Sequence, residues 1–90
     1  MSEPSYIRVQ DTQVHETEDG LIVFDPASDR VHHLNFSAAV IYELCGEIRT
    51  QSELVKEFAT LYELEEAPVD DIKKSIGEML STGILETVDI

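Results

Sequence analysis

One stretch decides the fold, and it reads Val31-His32-His33-Leu34-Asn35-Phe36-Ser37-Ala38-Ala39-Val40-Ile41-Tyr42-Glu43-Leu44-Cys45-Gly46. It predicts a β-strand that passes through a short corner into an α-helix. Ser37 is the predicted N-cap, because its hydroxyl can accept a hydrogen bond from a free amide of the first turn. Phe36 and Ile41 then occupy the two positions of a hydrophobic staple, and Gly46 suits the left-handed C′ position. The stretch therefore joins a strand-rich half of the chain to a helical half.

The residues before this stretch predict strands separated by turns. Apolar, β-prone segments flank Asp19-Gly20, which is a strong hairpin signal, and Asp25-Pro26-Ala27-Ser28-Asp29 is a turn cluster. With the strand from Arg30 to Leu34 they predict a three-stranded antiparallel β-meander whose last strand lies at an edge. An edge strand exposes unpaired amides and carbonyls that a partner can use. Residues 1–13 are expected to form a flexible or extended N-terminal arm, or a first weak strand at 6–9, and the domain proper spans 14–88.

The residues after this stretch predict two more helices. Thr50-Gln51-Ser52-Glu53 is a capping box, and helical spacing of apolar residues continues to about Tyr62. Pro68 is well placed as the first residue of a third helix, which Gly83 ends before a short terminal strand or tail. The core face of that helix comprises Ile72, Ile76, Met79 and Leu80. The predicted fold is α+β, with the meander followed by three α-helices in a winged helix-turn-helix-like arrangement.

Length, composition and charge exclude several classes of protein. A chain of 90 residues with 42% hydrophobic residues forms one small globular domain, and no apolar run approaches the roughly 20 residues of a membrane span. No signal peptide is visible, and the single cysteine, Cys45, cannot form an internal disulfide, so the expected location is cytoplasmic. Cys45 is predicted to be a small buried hydrophobic residue. The net charge of −13 disfavours nucleic acid and anionic membranes as partners.

No constellation of residues indicates catalysis or a metal site. His32 and His33 are neighbours on a strand, so their side chains point to opposite faces and cannot chelate one metal. The sequence has no glycine-rich phosphate loop, and its paired carboxylates fit a turn, a solvated loop and a helix start. We therefore expect a protein that is not an enzyme and that uses neither a metal nor a cofactor.

A binding surface is better supported on the third helix. Lys73 and Gly77 lie on one flank of its apolar face. Glycine inside a helix costs about 1 kcal/mol relative to alanine, and close approach of another backbone is one reason to tolerate that cost. Neutral surface drift is the alternative, and the sequence leaves both open.

Several short motifs, in this order and at this spacing, resemble the PqqD-like family, whose members are called RiPP recognition elements. The similarity covers roughly residues 14–88. The motifs are Asp19-Gly20-Leu21-Ile22-Val23-Phe24-Asp25-Pro26, Leu34-Asn35 with Ala38 and Ile41, Arg49-Thr50 with Glu53-Leu54, Val69, Asp71-Ile72, and Gly83-Ile84-Leu85.

The resemblance implies a domain without enzymatic activity that binds the leader segment of a ribosomally made precursor peptide. In the family the leader adds as a strand beside the third strand of the meander, against the third helix, and is presented to a modifying enzyme such as a radical SAM protein. Carried over to this chain, the peptide-binding residues are Arg30, Val31, His32, His33, Leu34, Ile72, Lys73, Ile76, Gly77 and Leu80.

Several points stay open at the level of the sequence. We hypothesise that Arg30, Lys73 and Lys74 attract an acidic leader, because these basic residues fall at the predicted groove of an otherwise acidic protein. A winged-helix transcriptional regulator or another protein–protein adaptor is the alternative function. The precursor, the recruited enzyme, a homodimer through the sheet edge, and the flank of the third helix that lines the groove are undecided.

Overall fold

The computed structural model of the protein describes residues 3–88. Its elements are, in chain order, β1 (Ser5–Arg8), β2 (Gln13–Thr17), β3 (Gly20–Asp25), β4 (Arg30–Asn35), α1 (Phe36–Leu44), β5 (Arg49–Thr50), α2 (Gln51–Leu61), α3 (Val69–Thr82) and β6 (Leu85–Val88). The predicted α+β class, with a strand meander followed by three helices, is confirmed. The winged-helix likeness stays a prediction.

The six strands within residues 3–88 form two antiparallel three-stranded sheets. We call the sheet with strand order β2-β3-β4 the meander sheet, because its strands follow one another along the chain. The other has the order β5-β1-β6, and we call it the terminal sheet because it joins the first strand to the last. The predicted meander is confirmed, and β4 is one of its two edges.

The first turn of the meander sheet lies one residue before the predicted Asp19-Gly20 pair, and the second lies within the predicted cluster at 25–29. Thr17 pairs with Gly20, so Glu18 and Asp19 form the first turn and Gly20 already belongs to β3. A Cβ on Gly20 would lie 1.9 Å from the carbonyl oxygen of Leu34, so β3 and β4 approach each other here only because this residue is glycine. In the second turn, the Asp25 carboxylate accepts hydrogen bonds from the Ala27 amide and the Ser28 hydroxyl, at 3.1 and 3.0 Å.

The corner between β4 and α1 differs from the prediction. Asn35 is the N-cap, and its Oδ1 accepts a hydrogen bond from the Ala38 amide at 2.9 Å. The prediction of Ser37 as the cap, and of a staple between Phe36 and Ile41, is therefore wrong, because both depend on a helix that starts two residues later. Asparagine caps as well as serine does, and the strand here runs directly into the helix. Phe36 is 56% exposed and makes an edge contact with the Tyr62 ring.

The end of α1 also differs from the prediction. The C-cap is Cys45, and the Gly46 amide donates to the Glu43 carbonyl at 3.0 Å in a tight last turn. Within residues 3–88, Gly20 and Gly83 are the glycines with positive φ, so the left-handed conformation predicted for Gly46 is wrong. The helix closes without that conformation because the Nε of Arg49 donates to the free Leu44 carbonyl at 2.7 Å.

The other two helices are close to their predictions. The capping box of α2 is present, since the Thr50 hydroxyl accepts from the Glu53 amide and the Glu53 carboxylate accepts from the Thr50 amide. Pro68 is the N-cap of α3 and not its first residue, so the helix begins one residue later than predicted, and Gly83 ends it with φ 82°. The predicted core face of α3 is confirmed: Ile72, Ile76 and Met79 are buried, and Leu80 packs against the core.

The terminal sheet surrounds β1. Ser5 pairs with Thr50 of β5 on one side and with Val88 of β6 on the other, and the pairing with β6 continues to Arg8 and Leu85. Of the two possibilities that the sequence leaves for residues 6–9, the structure has the strand, and it likewise has a strand at 85–88. One core joins both sheets and all three helices, and comprises Tyr6, Leu21, Val23, Ala38, Ala39, Ile41, Tyr42, Cys45, Leu54, Phe58, Ile72, Ile76, Met79, Ile84 and Leu85.

The helices between residues 3 and 88 include none that combines the length and the apolarity needed to cross a membrane.

Candidate functional site

A cleft runs between the edge strand β4 and helix α3. In the described part of the chain β4 pairs with β3 alone, so its other edge is free for a further strand. The cleft has a volume of about 360 Å³. Its lining residues are Val31, His32, His33, Leu34 and Asn35 from β4, Ala38 from α1, and Ser75, Glu78, Met79 and Thr82 from α3.

The pairing of β4 with β3 decides which side chains face inward. His32 pairs with Val23 and Leu34 pairs with Leu21, and both β3 partners are buried. Side chains of directly opposed residues lie on the same face of a sheet, so His32 and Leu34 project toward the core and α3. Val31 and His33 belong to the opposite face and are exposed. The prediction that the two histidines lie on opposite faces is confirmed.

The inward side of the cleft is partly polar. The Nε2 atom of His32 is buried and has no hydrogen-bond partner among residues 3–88. Glu78 supplies a carboxylate to the lining, and Ser75 and Thr82 supply hydroxyls. Leu34, Ala38 and Met79 make the apolar part. The lining of the cleft is therefore part polar and part apolar.

Helix α3 meets the cleft with a different flank from the one that carries the predicted residues. At about 100° per residue, Ser75, Glu78 and Thr82 lie on one side of the buried face of α3, and Lys73, Gly77 and Leu80 lie on the other. Ile72 and Ile76 are buried in the core. Within the described chain, none of the five predicted α3 residues lines the cleft between β4 and α3.

The sequence leaves open which flank of α3 lines the cleft. An amphipathic helix has two flanks, and its periodicity identifies only the buried face between them. Met79 belongs to that predicted face, and Ser75, Glu78 and Thr82 carry no further signal of their own. Asn35 and Ala38 are not among the predicted binding residues, and they line the cleft because α1 starts immediately after β4.

Gly77 lies in open space on the far flank. A Cβ placed there would have no atom of residues 3–88 within 4 Å outside its own helix. Nothing in the described chain therefore requires glycine at this position.

The six basic residues fall into two groups: Arg8 and Arg49 contact other side chains, and Arg30, Lys56, Lys73 and Lys74 are exposed. Arg8 lies over the Tyr42 ring at 5.5 Å, and Arg49 forms ion pairs with Glu57 and, at 3.5 Å, with Glu47. Lys73 and Lys74 are exposed on α3 and do not line the cleft in the described structure. Arg30 is exposed at the first position of β4. Arg30 is thus the cation nearest in sequence to the cleft-lining segment of β4.

Cys45 has the environment of a structural residue. Its side chain is fully buried, and burial raises the pKa of the thiol to about 11, against the opposing effect of Arg49 and Arg8. The thiol is therefore protonated at neutral pH, and a protonated thiol is a poor nucleophile. The prediction of a small buried hydrophobic residue is confirmed. Residues 3–88 contain no cluster of three or more His, Cys, Asp or Glu side chains that could hold a metal ion.

Comparison with known proteins identifies a family. No curated protein and no solved structure matches the chain significantly. The family described as "Coenzyme PQQ synthesis protein D (PqqD)" matches residues 20–85, which extend from the first residue of β3 to the first residue of β6. The match covers most of the 90-residue chain and confirms the resemblance seen in the short motifs. This chain therefore belongs to the PqqD family.

Proposed function

We propose that the protein is a non-catalytic peptide chaperone. It binds the leader segment of a ribosomally made precursor peptide as an added strand beside β4 and presents it to a modifying enzyme, such as a radical SAM protein. Membership of the PqqD family supports a role associated with the biosynthesis of PQQ or of ribosomal peptide natural products.

The observation that carries the proposal is a free strand edge that faces a helix across a cleft. An extended peptide added to such an edge gains backbone hydrogen bonds, and pockets for alternate side chains set its register. β4 has six residues, so a strand paired along its full length spans about 20 Å. The peptide side chains that point inward would then lie between Leu34 and the Ser75–Thr82 side of α3.

β4 is a better candidate than β2, the other edge of the meander sheet. All five residues of β2 are exposed. A peptide there would gain backbone bonds but would bury few side chains, and side-chain burial is what distinguishes one peptide from another. β4 offers a free edge and a lined cleft together.

The ten predicted binding residues have different roles in this proposal. Arg30 to Leu34 form the receiving strand, while Ile72 and Ile76 hold α3 in place through the core. Lys73, Gly77 and Leu80 lie on the flank away from the cleft. Of the three cations assigned to an acidic leader, Arg30 is the one that we retain for direct attraction, and the Glu78 carboxylate disfavours acidic residues of the leader near it.

An amide-resolved NMR titration tests the binding site. The probe is the leader peptide encoded beside the gene of this protein. We expect the largest shifts at residues 30–35 and at Ser75, Glu78, Met79 and Thr82. Shifts confined to β2, or to the outer faces of α1 and α2, would contradict the proposed site.

A matched pair of substitutions on α3 tests the flank. Ser75→Trp places a large side chain in the cleft and should weaken leader binding at least about tenfold, which corresponds to about 1.4 kcal/mol. Lys73→Trp adds the same indole on the opposite, exposed flank and should leave the affinity within about twofold. Both melting temperatures are measured to confirm folding. The reverse order of affinities would assign binding to the flank of Lys73 and Gly77.

The alternative of a transcriptional regulator is tested by titration with random duplex DNA at low salt. A chain with a net charge of −13 is expected not to bind, because affinity for DNA comes mainly from cations at the phosphates. Micromolar binding that weakens with added salt would favour the regulator.

A further inference from the structure

His32 has an unusual environment for a strand residue. It projects from the inward face of the meander sheet, opposite the fully buried Val23. The Nε2 atom of its imidazole is buried and meets no hydrogen-bonding partner within residues 3–88. Buried polar groups in folded proteins are nearly always paired, so an orphaned nitrogen calls for a physical explanation.

The position of His32 suggests that explanation. His32 lines the cleft along the free edge of β4, where a bound strand would lie. The next inward-facing residue, Leu34, is two positions along and is part of the apolar lining with Ala38 and Met79. A polar position and an apolar position are therefore separated by two residues, which is the repeat of side chains on one face of a strand.

We infer that His32 is a specificity-determining residue of this cleft. A bound peptide places a neutral hydrogen-bonding side chain (Ser, Thr, Asn or Gln) against His32 Nε2, and an apolar side chain two positions away against Leu34 and Met79. This inference rests on the proposed function and extends it to the sequence of the peptide. The peptide carries a polar-x-apolar motif, in which a polar and an apolar residue are separated by one residue, in either chain direction.

The charge of the lining decides between polar side chains. Glu78 contributes a carboxylate to the same cleft, and a second carboxylate close to it would be repelled. A neutral hydroxyl or carboxamide avoids that repulsion. Such groups can also donate or accept, so they satisfy Nε2 in either tautomer of the neutral imidazole.

The experiment is a selection of peptides from a displayed library of random 12-residue sequences. The wild-type protein and three variants are used as bait: His32→Phe, His32→Gln and His15→Phe. His32→Phe keeps a planar ring and removes both nitrogens, and His32→Gln restores a hydrogen-bonding group. His15→Phe is the matched control, because it makes the same change at an exposed position of β2, outside the cleft. Thermal melting confirms that each bait is folded.

We expect wild type, His15→Phe and His32→Gln to enrich the polar-x-apolar motif. His32→Phe should keep the preference for the apolar residue and lose the preference for the polar one. In a selected peptide, replacing the polar residue by alanine should weaken binding to wild type about tenfold and to His32→Phe less than twofold.

Two results would overturn the inference, and they differ in what they say about the proposed function. In the first, the selected peptides perturb residues 30–35 and the cleft side of α3 in NMR spectra but show no polar position that depends on His32. That result would refute the role of His32 and leave strand addition intact. Enrichment of no peptide, or of peptides that perturb other surfaces only, would refute strand addition at β4 and the role of His32 with it.

Discussion

The terminal sheet and the meander sheet have three strands each, but they are built and used differently. The terminal sheet gathers residues 5–8, 49–50 and 85–88, and Ser5, Tyr6 and Leu85 in it are buried. The meander sheet uses three consecutive strands, and its two edge strands, β2 and β4, consist mainly of exposed residues. In β4 that exposure is combined with a free backbone edge beside the cleft.

The difference separates stability from binding. β1 and β6 are paired with each other and contribute Tyr6 and Leu85 to the core, so the terminal sheet closes the domain. The meander sheet contributes β3 to the core through Leu21 and Val23 and leaves β4 open on one side. Substitutions in the terminal sheet should therefore change mainly the free energy of unfolding. Substitutions along β4 and its cleft should change mainly the affinity for the peptide.

The largest expected effect comes from removing the centre of the terminal sheet. The sequence predicts a domain of residues 14–88, but we propose that the domain begins with β1. Deleting residues 1–13 should lower the free energy of unfolding by more than about 3 kcal/mol. The deletion removes the buried Tyr6 side chain, and this loss alone is comparable to truncating a buried aromatic side chain to alanine. Urea denaturation followed by circular dichroism measures the loss.

The control deletion removes residues 1–4 and keeps β1. Outside residues 1 and 2, it removes Pro4 and the hydrogen bond from the Ser52 hydroxyl to the Glu3 carboxylate, which is exposed. We expect a change within about 0.5 kcal/mol. A chain of residues 14–90 as stable as the full chain would show that the terminal sheet is dispensable.

A smaller effect is expected from a pair of glycines. Gly20→Ala brings a methyl group against the backbone of Leu34 and Asn35 and should destabilise by about 1–3 kcal/mol, since β3 and β4 must separate there. Gly77→Ala, at an interior position of α3, adds a methyl group that meets no neighbouring atom of residues 3–88 outside its own helix. It should raise the free energy of unfolding by up to about 1 kcal/mol. Urea midpoints measure both.

The same pair also reports on binding. Gly20→Ala should weaken leader binding, because it distorts the end of the receiving strand, whereas Gly77→Ala should leave the affinity unchanged. A loss of affinity in Gly77→Ala without a loss in Gly20→Ala would place the peptide on the far flank of α3.

The last effect is absent at neutral pH and appears only in alkali. The Cys45 carbonyl accepts a hydrogen bond from the Arg8 amide, so this residue joins α1 to the terminal sheet. Burial raises the pKa of its thiol from 9.0 to about 11. An unfolded chain therefore loses the proton first, and stability should fall as the pH rises from 9 through 11.

The measurement is the urea midpoint between pH 7 and pH 10.5 for wild type and Cys45→Ala. Burial also raises the pKa of Tyr6, with smaller contributions from Glu3 and Cys45, so its effect has the same sign and some decline will persist in the variant. The variant should show the shallower decline. Equal slopes would mean that the thiol does not titrate differently in the two states.

Features that depend on neighbouring residues were predictable. The Asp19-Gly20 hairpin, the turn at 25–29 and the capping box at Thr50 were predicted because each is made by contacts within a few residues. The predicted N-cap of α1, Ser37, lies two residues after the observed N-cap, Asn35. Both residue types are good caps, and only the end of β4 decides between them.

The sequence by itself determined the α+β class, the meander, the three helices, the buried face of α3 and the family, because local hydrogen bonding and side-chain periodicity carry that information. The tertiary structure alone decided that β1 is the centre of a second sheet and that the Ser75–Thr82 flank of α3 faces β4. The pairing of β1 with β6, from opposite parts of the chain, and the rotation of a helix about its buried face depend on how distant elements pack. No local pattern in the chain encodes either one.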